Sequence, residues 1–526
     1  MKPKIIATLI LTALVAIAAS PSGPGTYSPM SPKIAHAGFF SQDLELFEEV
    51  VDLVSDKYVY PPDYRKLFEG AFEGMVAFVD DKELIHQKAG AKGMLRWKGR
   101  NLPYRLTYNF KDNMNALKKA YYFLAEGMDE KSLNRDLEFA GINGMMETLD
   151  LYSQFMDQSM FDRSMRDTEG KYGGLGMLIT MKDKRLEVVK TMPNSPARKA
   201  GILSGDLFVK ADGRDVKDTQ IEDLAEMLRG YPDTRVSISL ERPSEKKIYD
   251  YELTRKTIEI ESVHYEKLAG PVGHIRITSF SKQTDEQLIV ALQQAKKDRV
   301  RGYILDLRDN PGGLLTQSVK VAGHFLSPNR LVVYTQGRTR SNYQEYRSEI
   351  ENTLHEKPIV ALINGNSASA SEIVAGALRD VGLALVLGET SYGKGSVQTI
   401  FRISEGAGLR LTTSKYYTPS GIDITEHGII PDIMVEDDQF ETEKTADTNT
   451  EVDAVFQHKK SPLPGYPSIR MKLSDVEKLV RSRGIKLDEE HDPLLGFAQM
   501  SLENIVTADK LKTLEHAKEL AANIIY

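Results

Sequence analysis

Two short stretches hold the side chains best suited to chemistry: Ser367-Ala368-Ser369-Ala370-Ser371-Glu372, and the glycine-flanked lysine of Tyr392-Gly393-Lys394-Gly395. Lys394 follows Ser369 by 25 residues, and no histidine stands near either. Serine is a poor nucleophile until a neighbouring base takes its proton. Lysine can be that base if burial lowers its pKa toward about 7–8. The pair points to a serine–lysine hydrolase.

Each stretch has a plainer reading. Serines at a helix start serve as caps, although one would suffice. Gly388 to Lys394 fits the first seven places of a phosphate-binding loop. That loop needs Ser or Thr next and a helix beyond, whereas Gly395 fills the place and Val397 to Arg402 alternates like a strand. The nucleotide reading fails on both counts.

The elements around these residues are legible. Pro358 to Ile363 reads as a strand and Ser371 to Arg379 as a helix, so the serines occupy a strand-to-helix corner. Unpaired N–H groups at a helix start favour negative charge, and the N–H of Ala370 is a candidate donor to an oxyanion. A second donor is needed. The run Asp309-Asn310-Pro311-Gly312-Gly313 follows the strand Gly302 to Leu307, and Gly312 or Gly313 could supply it, with a simple turn as the alternative.

Further out, Ile258 to Val435 alternates strands and helices, which predicts a layered α/β core. Glu169 to Thr254 is rich in short strands and glycines and fits one small domain. Gln42 to Ser164 has mainly helical periodicity, with Met94 to Lys111, around Trp97, expected to be irregular. Glu436 to Asp453 reads as a linker, followed by helices over 473–483, 493–505 and 508–523. The implied division is 1–37 signal and disordered segment, 38–165 helical domain, 166–256 small domain, 257–435 core, and 436–526 linker and helical end.

The 526 residues exceed what one core can organise. With 41% hydrophobic and 27% charged residues the composition is that of a soluble globular protein, and a net charge of −7 offers no field for nucleic acid. Absence of cysteine removes disulfides, thiol catalysis and thiolate metal sites. No His, Asp and Glu grouping has metal-ligand spacing, so no cofactor is expected. Lys2 and Lys4 precede an apolar stretch, Ile5 to Ala19, short for a membrane span of about 20 residues. Export is the expectation and an uncleaved anchor the alternative. Ala16-Ile17-Ala18 and Ala35-His36-Ala37 both fit a cleavage signal.

From Leu151 to Val435 the chain resembles the C-terminal processing (tail-specific) peptidases, PDZ-containing serine proteases. The resemblance rests on Ser367 to Glu372, on Gly393-Lys394-Gly395-Ser396-Val397-Gln398, on Leu305-Asp306-Leu307-Arg308 with Asn310-Pro311-Gly312-Gly313, and on Gly428-Ile429-Ile430-Pro431-Asp432. It implies Ser369 as nucleophile, Lys394 as general base and Gln398 as the residue holding the lysine. Gln398 otherwise reads as an outward strand residue, and His427 as structural. The second region resembles a PDZ domain. Tyr172-Gly173-Gly174-Leu175-Gly176-Met177 is similar to its carboxylate-binding loop, and Ile221 to Leu228 to the opposite groove wall.

The resemblance implies a multidomain α+β fold: helical N-terminal region, PDZ domain, a crotonase-like or ClpP-like α/β protease core and C-terminal helices. The expected partners are proteins with free C-terminal tails, with an activator or adaptor left open and a dimer suggested by the helical ends. A periplasmic or other cell-envelope location follows from export. Two other functions are the alternatives: a PDZ scaffold with an inactive core, and an acyl-CoA enzyme of crotonase type. Intact Ser369, Lys394 and Gln398 argue against the first, and the lack of an adenine-binding feature against the second.

Overall fold

The computed structural model describes residues 44–437 and 469–525, apart from 129–133, 183, 352–353, 355, 489–491 and 506. The targeting segment and most of the expected linker lie outside the described residues. The chain divides into two compact units, one comprising 1–162, 263–280 and 284–526, the other 163–262 with 281–283.

The larger unit is built on a seven-stranded sheet. In spatial order its strands are Val263–Lys267, Val272–Ile277, Gly302–Asp306, Ile359–Ile363, Ala384–Gly388, Ile433–Glu436 and Ile469–Lys472. The first pair is antiparallel and the rest are parallel. The middle strands are apolar without interruption because both faces are covered. Leu305, Ala361 and Val386 face the helices Thr284–Lys297, Leu315–Gly323 and Ala370–Asp380. Ile304, Val360, Leu362 and Leu385 face Leu473–Ser482, Pro493–Ser501 and Lys510–Leu520. The C-terminal helices are thus one layer of the core, and fully burying a residue such as Phe497 contributes roughly 1.5–3 kcal/mol.

A second, antiparallel sheet runs Gln344–Arg347, Leu331–Gly337, Gly408–Tyr417, Ser396–Arg402, with Gln154–Met156 pairing to the free part of Gly408–Tyr417. That short strand ties the N-terminal helices to the core. Glu45–Lys57, Tyr64–Val79, Phe110–Ala125 and Asn134–Glu147 bury Phe47, Phe68, Leu117 and Met145 in one cluster with Leu409 and Leu411. Helices Tyr64–Val79 and Asn134–Glu147 approach closely through glycine: a Cβ at Gly70 would lie 2.3 Å from the Gly144 carbonyl oxygen.

Structure and sequence expectation differ at three places. Residues 94–111 are not irregular: Ile85–Ala89, Lys92–Trp97 and Arg100–Arg105 form an antiparallel meander, and the next helix starts at Phe110. Leu95 and Trp97 point inward two residues apart, and the tight turn at Lys98-Gly99 has positive φ at both positions. The strand Ile469–Lys472 was not foreseen; its alternation is only four residues long. Helix Gln158–Glu169 runs through the expected boundary at 165.

The smaller unit is an antiparallel sheet in the order Lys247–Thr254, Arg235–Arg242, Leu207–Ala211, Arg185–Thr191, Met177–Lys182, with helices Pro196–Lys199 and Ile221–Leu228. Leu175, Val188, Phe208, Leu224 and Ile238 fill its core. Lys256–Glu259 pairs with Lys171–Gly174 at its chain ends.

Candidate active site

Strand Ile359–Ile363 ends in Asn364, and the chain turns sharply into helix Ala370–Asp380 at Ser369. Ser369 has φ 54° and ψ −112°, a conformation that costs a non-glycine residue energy and that surrounding bonds must hold. The bonds are present. Ala368 N–H donates to the Asn310 carbonyl at 3.0 Å. The hydroxyl of Ser367 donates to Leu307 O and that of Ser371 to Asn310 O, each at 2.9 Å. Two of the three serines therefore stitch the corner to the 307–313 loop. The Ser369 hydroxyl is tied to no carbonyl of that loop.

Glu372 fixes the rest. It is fully buried, and its Oε2 accepts the Ser369 N–H at 2.7 Å and the Lys394 N–H at 2.9 Å. Its Oε1 accepts the Gly393 N–H at 2.7 Å and the Ser391 hydroxyl. Ser391 in turn accepts the Ile429 N–H at 2.6 Å. Burial pushes the Glu372 carboxyl up, and the four donors oppose it. One carboxylate oxygen thus joins the backbones at Ser369 and Lys394. Glu372 stands within the Ser367 to Glu372 motif, where nothing in the sequence marks this role.

Lys394 is 8% exposed, and its Nζ lies 4.9 Å from the centre of the Tyr152 ring. Burial lowers its pKa to about 8; the Arg410 guanidinium adds to the effect, and Glu372 and Asp150 work against it. Gln398 is buried beside a bulge between Val397 and Gln398. Its Nε2 donates to Thr412 Oγ1 at 2.9 Å and Ser396 Oγ at 3.1 Å, while its Oε1 has no hydrogen-bond donor among the described residues. Gln398 therefore faces inward.

The two loop glycines differ. Gly312 N–H donates to Asn310 Oδ1 at 2.9 Å. Its φ is +100°, and a Cβ there would lie 2.8 Å from Ser369 Cβ and 3.0 Å from Ala370 N. Gly313 pairs with Phe280, whose N–H donates to Gly312 O at 2.9 Å and whose carbonyl accepts the Leu314 N–H at 2.7 Å. The N–H groups of Gly313 and Ala370 carry no hydrogen bond to a described residue.

Tyr416 was missed entirely. It is fully buried, its hydroxyl makes no hydrogen bond to a described residue, and burial pushes its pKa up, with Tyr346 adding to the rise. The Ser369 hydroxyl faces it and works against that rise, without hydrogen-bond geometry. Arg410, Thr412, Ser414 and Tyr416 are all buried polar residues at alternate positions of one strand, a pattern the sequence did carry. Tyr152 and Asp150 had no such signal.

In the smaller unit, Gly174 ends the strand Lys171–Gly174, and Leu175 is buried in the core with its carbonyl accepting the Ala197 N–H at 3.0 Å. Gly176 has φ +71°, and a Cβ there would lie 2.4 Å from Ser195 Cβ, so no other residue fits. Met177 begins the edge strand Met177–Lys182. The half-buried Met177, Ile179, Ile221 and Met227 line the space between this unpaired edge and helix Ile221–Leu228.

Comparison with known proteins agrees with this architecture. Residues 271–435 match peptidase family S41 and residues 187–242 match a PDZ domain. The carboxy-terminal-processing protease of Bartonella bacilliformis is 38% identical over 338 residues, 63% of this chain and 76% of that protein. The carboxy-terminal processing protease CtpA of Bacillus subtilis is 33% identical over 348 residues, 64% of this chain and 74% of that one. The solved photosystem II D1 C-terminal processing protease aligns at 27% identity and a TM-score of 0.42, covering 75% of this chain and 93% of that one.

The two family matches and the two relatives define a multidomain α+β serine-type endopeptidase with an S41 core and a PDZ domain. The chain belongs to the carboxy-terminal processing peptidase family.

Proposed function

We propose that this chain is an exported endopeptidase that cuts proteins recognised by their C-terminal tails, using Ser369 as nucleophile and Lys394 as general base. One observation carries the reading: a buried lysine held near pKa 8, whose backbone shares a carboxylate oxygen with the backbone of a strained serine whose hydroxyl, unlike those of Ser367 and Ser371, is not bonded to the 307–313 loop. A lysine of pKa about 8 is about one-tenth neutral at pH 7, far more than a lysine at 10.5, and that neutral fraction can act as a base.

Neutral Lys394 takes the Ser369 proton as Oγ bonds to the substrate carbonyl carbon, and the carbonyl electron pair moves onto oxygen. The N–H groups of Ala370 and Gly313 receive that oxyanion, since Gly312 N–H is held by Asn310. Gly312 serves instead by lacking a Cβ. The buried, donor-free oxygen of Gln398 receives the Lys394 ammonium. The ammonium then returns its proton to the leaving amine as the C–N bond breaks. Water, deprotonated by Lys394, releases the acyl group and regenerates Ser369.

The tail of the substrate adds as a strand to Met177–Lys182, with its carboxylate on the N–H groups of the Gly174-Leu175-Gly176-Met177 turn and its last apolar side chain beside Ile221 and Met227. Lys2, Lys4 and the apolar Ile5 to Ala19 support export to the periplasm or cell envelope. An activating partner and a dimer fit the same reading.

The test is cleavage of an unfolded protein such as casein by the purified enzyme beside Ser369→Ala and Lys394→Ala, all shown to be folded. The reading expects cleavage by the parent alone. Cleavage by either variant at the parent rate would sink the dyad. A substrate with an amidated C-terminus should show a raised KM; an unchanged KM would remove the tail-recognition role.

A further inference from the structure

The wall of the Lys394 pocket comes from far upstream in the chain. Residues 150–153 precede strand Gln154–Met156, which pairs antiparallel with Gly408–Arg410, so they lie against Thr412. Asp150 organises them as a tight turn. Its Oδ1 accepts the N–H of Tyr152 at 2.8 Å and of Ser153 at 2.9 Å, and its Oδ2 accepts the Ser153 hydroxyl at 2.8 Å. The same Oδ1 accepts from Thr412 Oγ1 at 3.1 Å, and that hydroxyl accepts from Gln398. Thr412 N–H donates to Ser153 Oγ at 3.1 Å. A continuous chain of bonds therefore fixes both Gln398 and the backbone of Tyr152. The ring of Tyr152 then stands 4.9 Å from Lys394 Nζ.

We propose that Tyr152 is a positioning residue for the reaction: its ring closes the Lys394 pocket to water and orients Nζ, so residues outside 271–435 complete the site. The proposal rests on the reading of Lys394 as the base. The ring has two opposed effects. It excludes water, which favours the neutral amine. Its face also attracts a cation, which favours the ammonium. The other groups acting on Lys394 stay in place when only this ring changes: Arg410 on strand Gly408–Tyr417, Glu372 on helix Ala370–Asp380, and Asp150. Tyr152 itself is faced by Tyr392, Glu372 and Asp150, and its phenol is pushed up chiefly by burial, so it stays neutral through the working range.

Because the two effects oppose, two substitutions must move the site in opposite directions. Tyr152→Leu keeps apolar bulk and removes the aromatic face. The acid limb of the kcat/KM profile should move down by about one pH unit. Tyr152→Ala admits water, so the limb should move up by about one pH unit and kcat/KM at pH 7 should fall about tenfold. Tyr152→Phe keeps the ring and should leave the limb where it is.

The experiment is the pH dependence of kcat/KM for the parent and these three variants, with melting curves to verify folding and Lys394→Ala alongside. Opposite shifts for Leu and Ala with none for Phe support the proposal. Shifts of Leu and Ala in the same direction, no shift in a folded Leu variant, or a shift in Phe overturn it while leaving the dyad intact. Full activity in Lys394→Ala overturns the dyad reading itself.

Discussion

A lysine held near pKa 8 in the folded protein costs stability, and removing it should give that stability back. In the unfolded chain the amine has its ordinary value of 10.5; in the site, burial and Arg410 bring it to about 8. At 1.36 kcal/mol per pH unit the depression corresponds to about 3 kcal/mol. Below pH 8 both states bind the proton and the penalty is complete. Between pH 8 and 10.5 only the unfolded chain binds it, so stability rises with pH. Above 10.5 both are neutral and the penalty is gone.

Lys394→Met keeps the length of the side chain and removes the charge. Made in a Ser369→Ala background to stop self-cleavage, it should be up to about 3 kcal/mol more stable at pH 7. The advantage should shrink as pH rises from 8 to 10.5. Urea unfolding read by fluorescence suits the purpose, because Trp97 is the only tryptophan, is buried, and lies in the same compact unit. A Met variant less stable than its parent at pH 7, or an advantage that does not change with pH, would refute the claim that burial lowers the Lys394 pKa.

Three further substitutions test the surroundings. Tyr416→Phe removes a buried hydroxyl that has no partner, and should raise stability by about 1 kcal/mol; a lower urea midpoint would show that the phenol is hydrogen-bonded. Gly312→Ala places a Cβ 2.8 Å from Ser369 Cβ at φ +100°, and should lower kcat/KM about 100-fold by displacing the serine. A change under threefold would mean the corner tolerates that displacement. Glu372→Gln replaces a carboxylate that accepts from four donors with an amide offering one oxygen, and should cost about 2–3 kcal/mol in the same unfolding assay. Unchanged stability would mean the four donors find other acceptors.

How much of this was legible in the sequence depends on how local each feature is. Ser369, Ala370 and Lys394 were readable because a strand-to-helix corner and a glycine-flanked lysine are short patterns. The sequence could not say which of the three serines is not bonded to the 307–313 loop; that follows from Ser367 and Ser371 reaching carbonyls about sixty residues upstream. Glu372 was in plain view, but its role is to accept N–H groups from two loops that meet only in the fold. Tyr152 and Asp150 join the site through the pairing of Gln154–Met156 with Gly408–Arg410, a contact no periodicity announces. The meander at 85–105 and the strand at 469–472 were missed because short strands alternate over too few residues to stand out against helical neighbours.

The central claim, that Lys394 activates Ser369, is tested most directly by trapping the acyl-enzyme. The enzyme would be mixed with an activated ester substrate, quenched in acid within the first turnover, and mapped by mass spectrometry between pH 6 and 10. The account predicts an adduct on Ser369 whose rate of formation climbs through pH 8 and vanishes in Lys394→Ala. An adduct on another residue, a rate independent of pH, or acylation of the Lys394→Ala enzyme at the parent rate would contradict it.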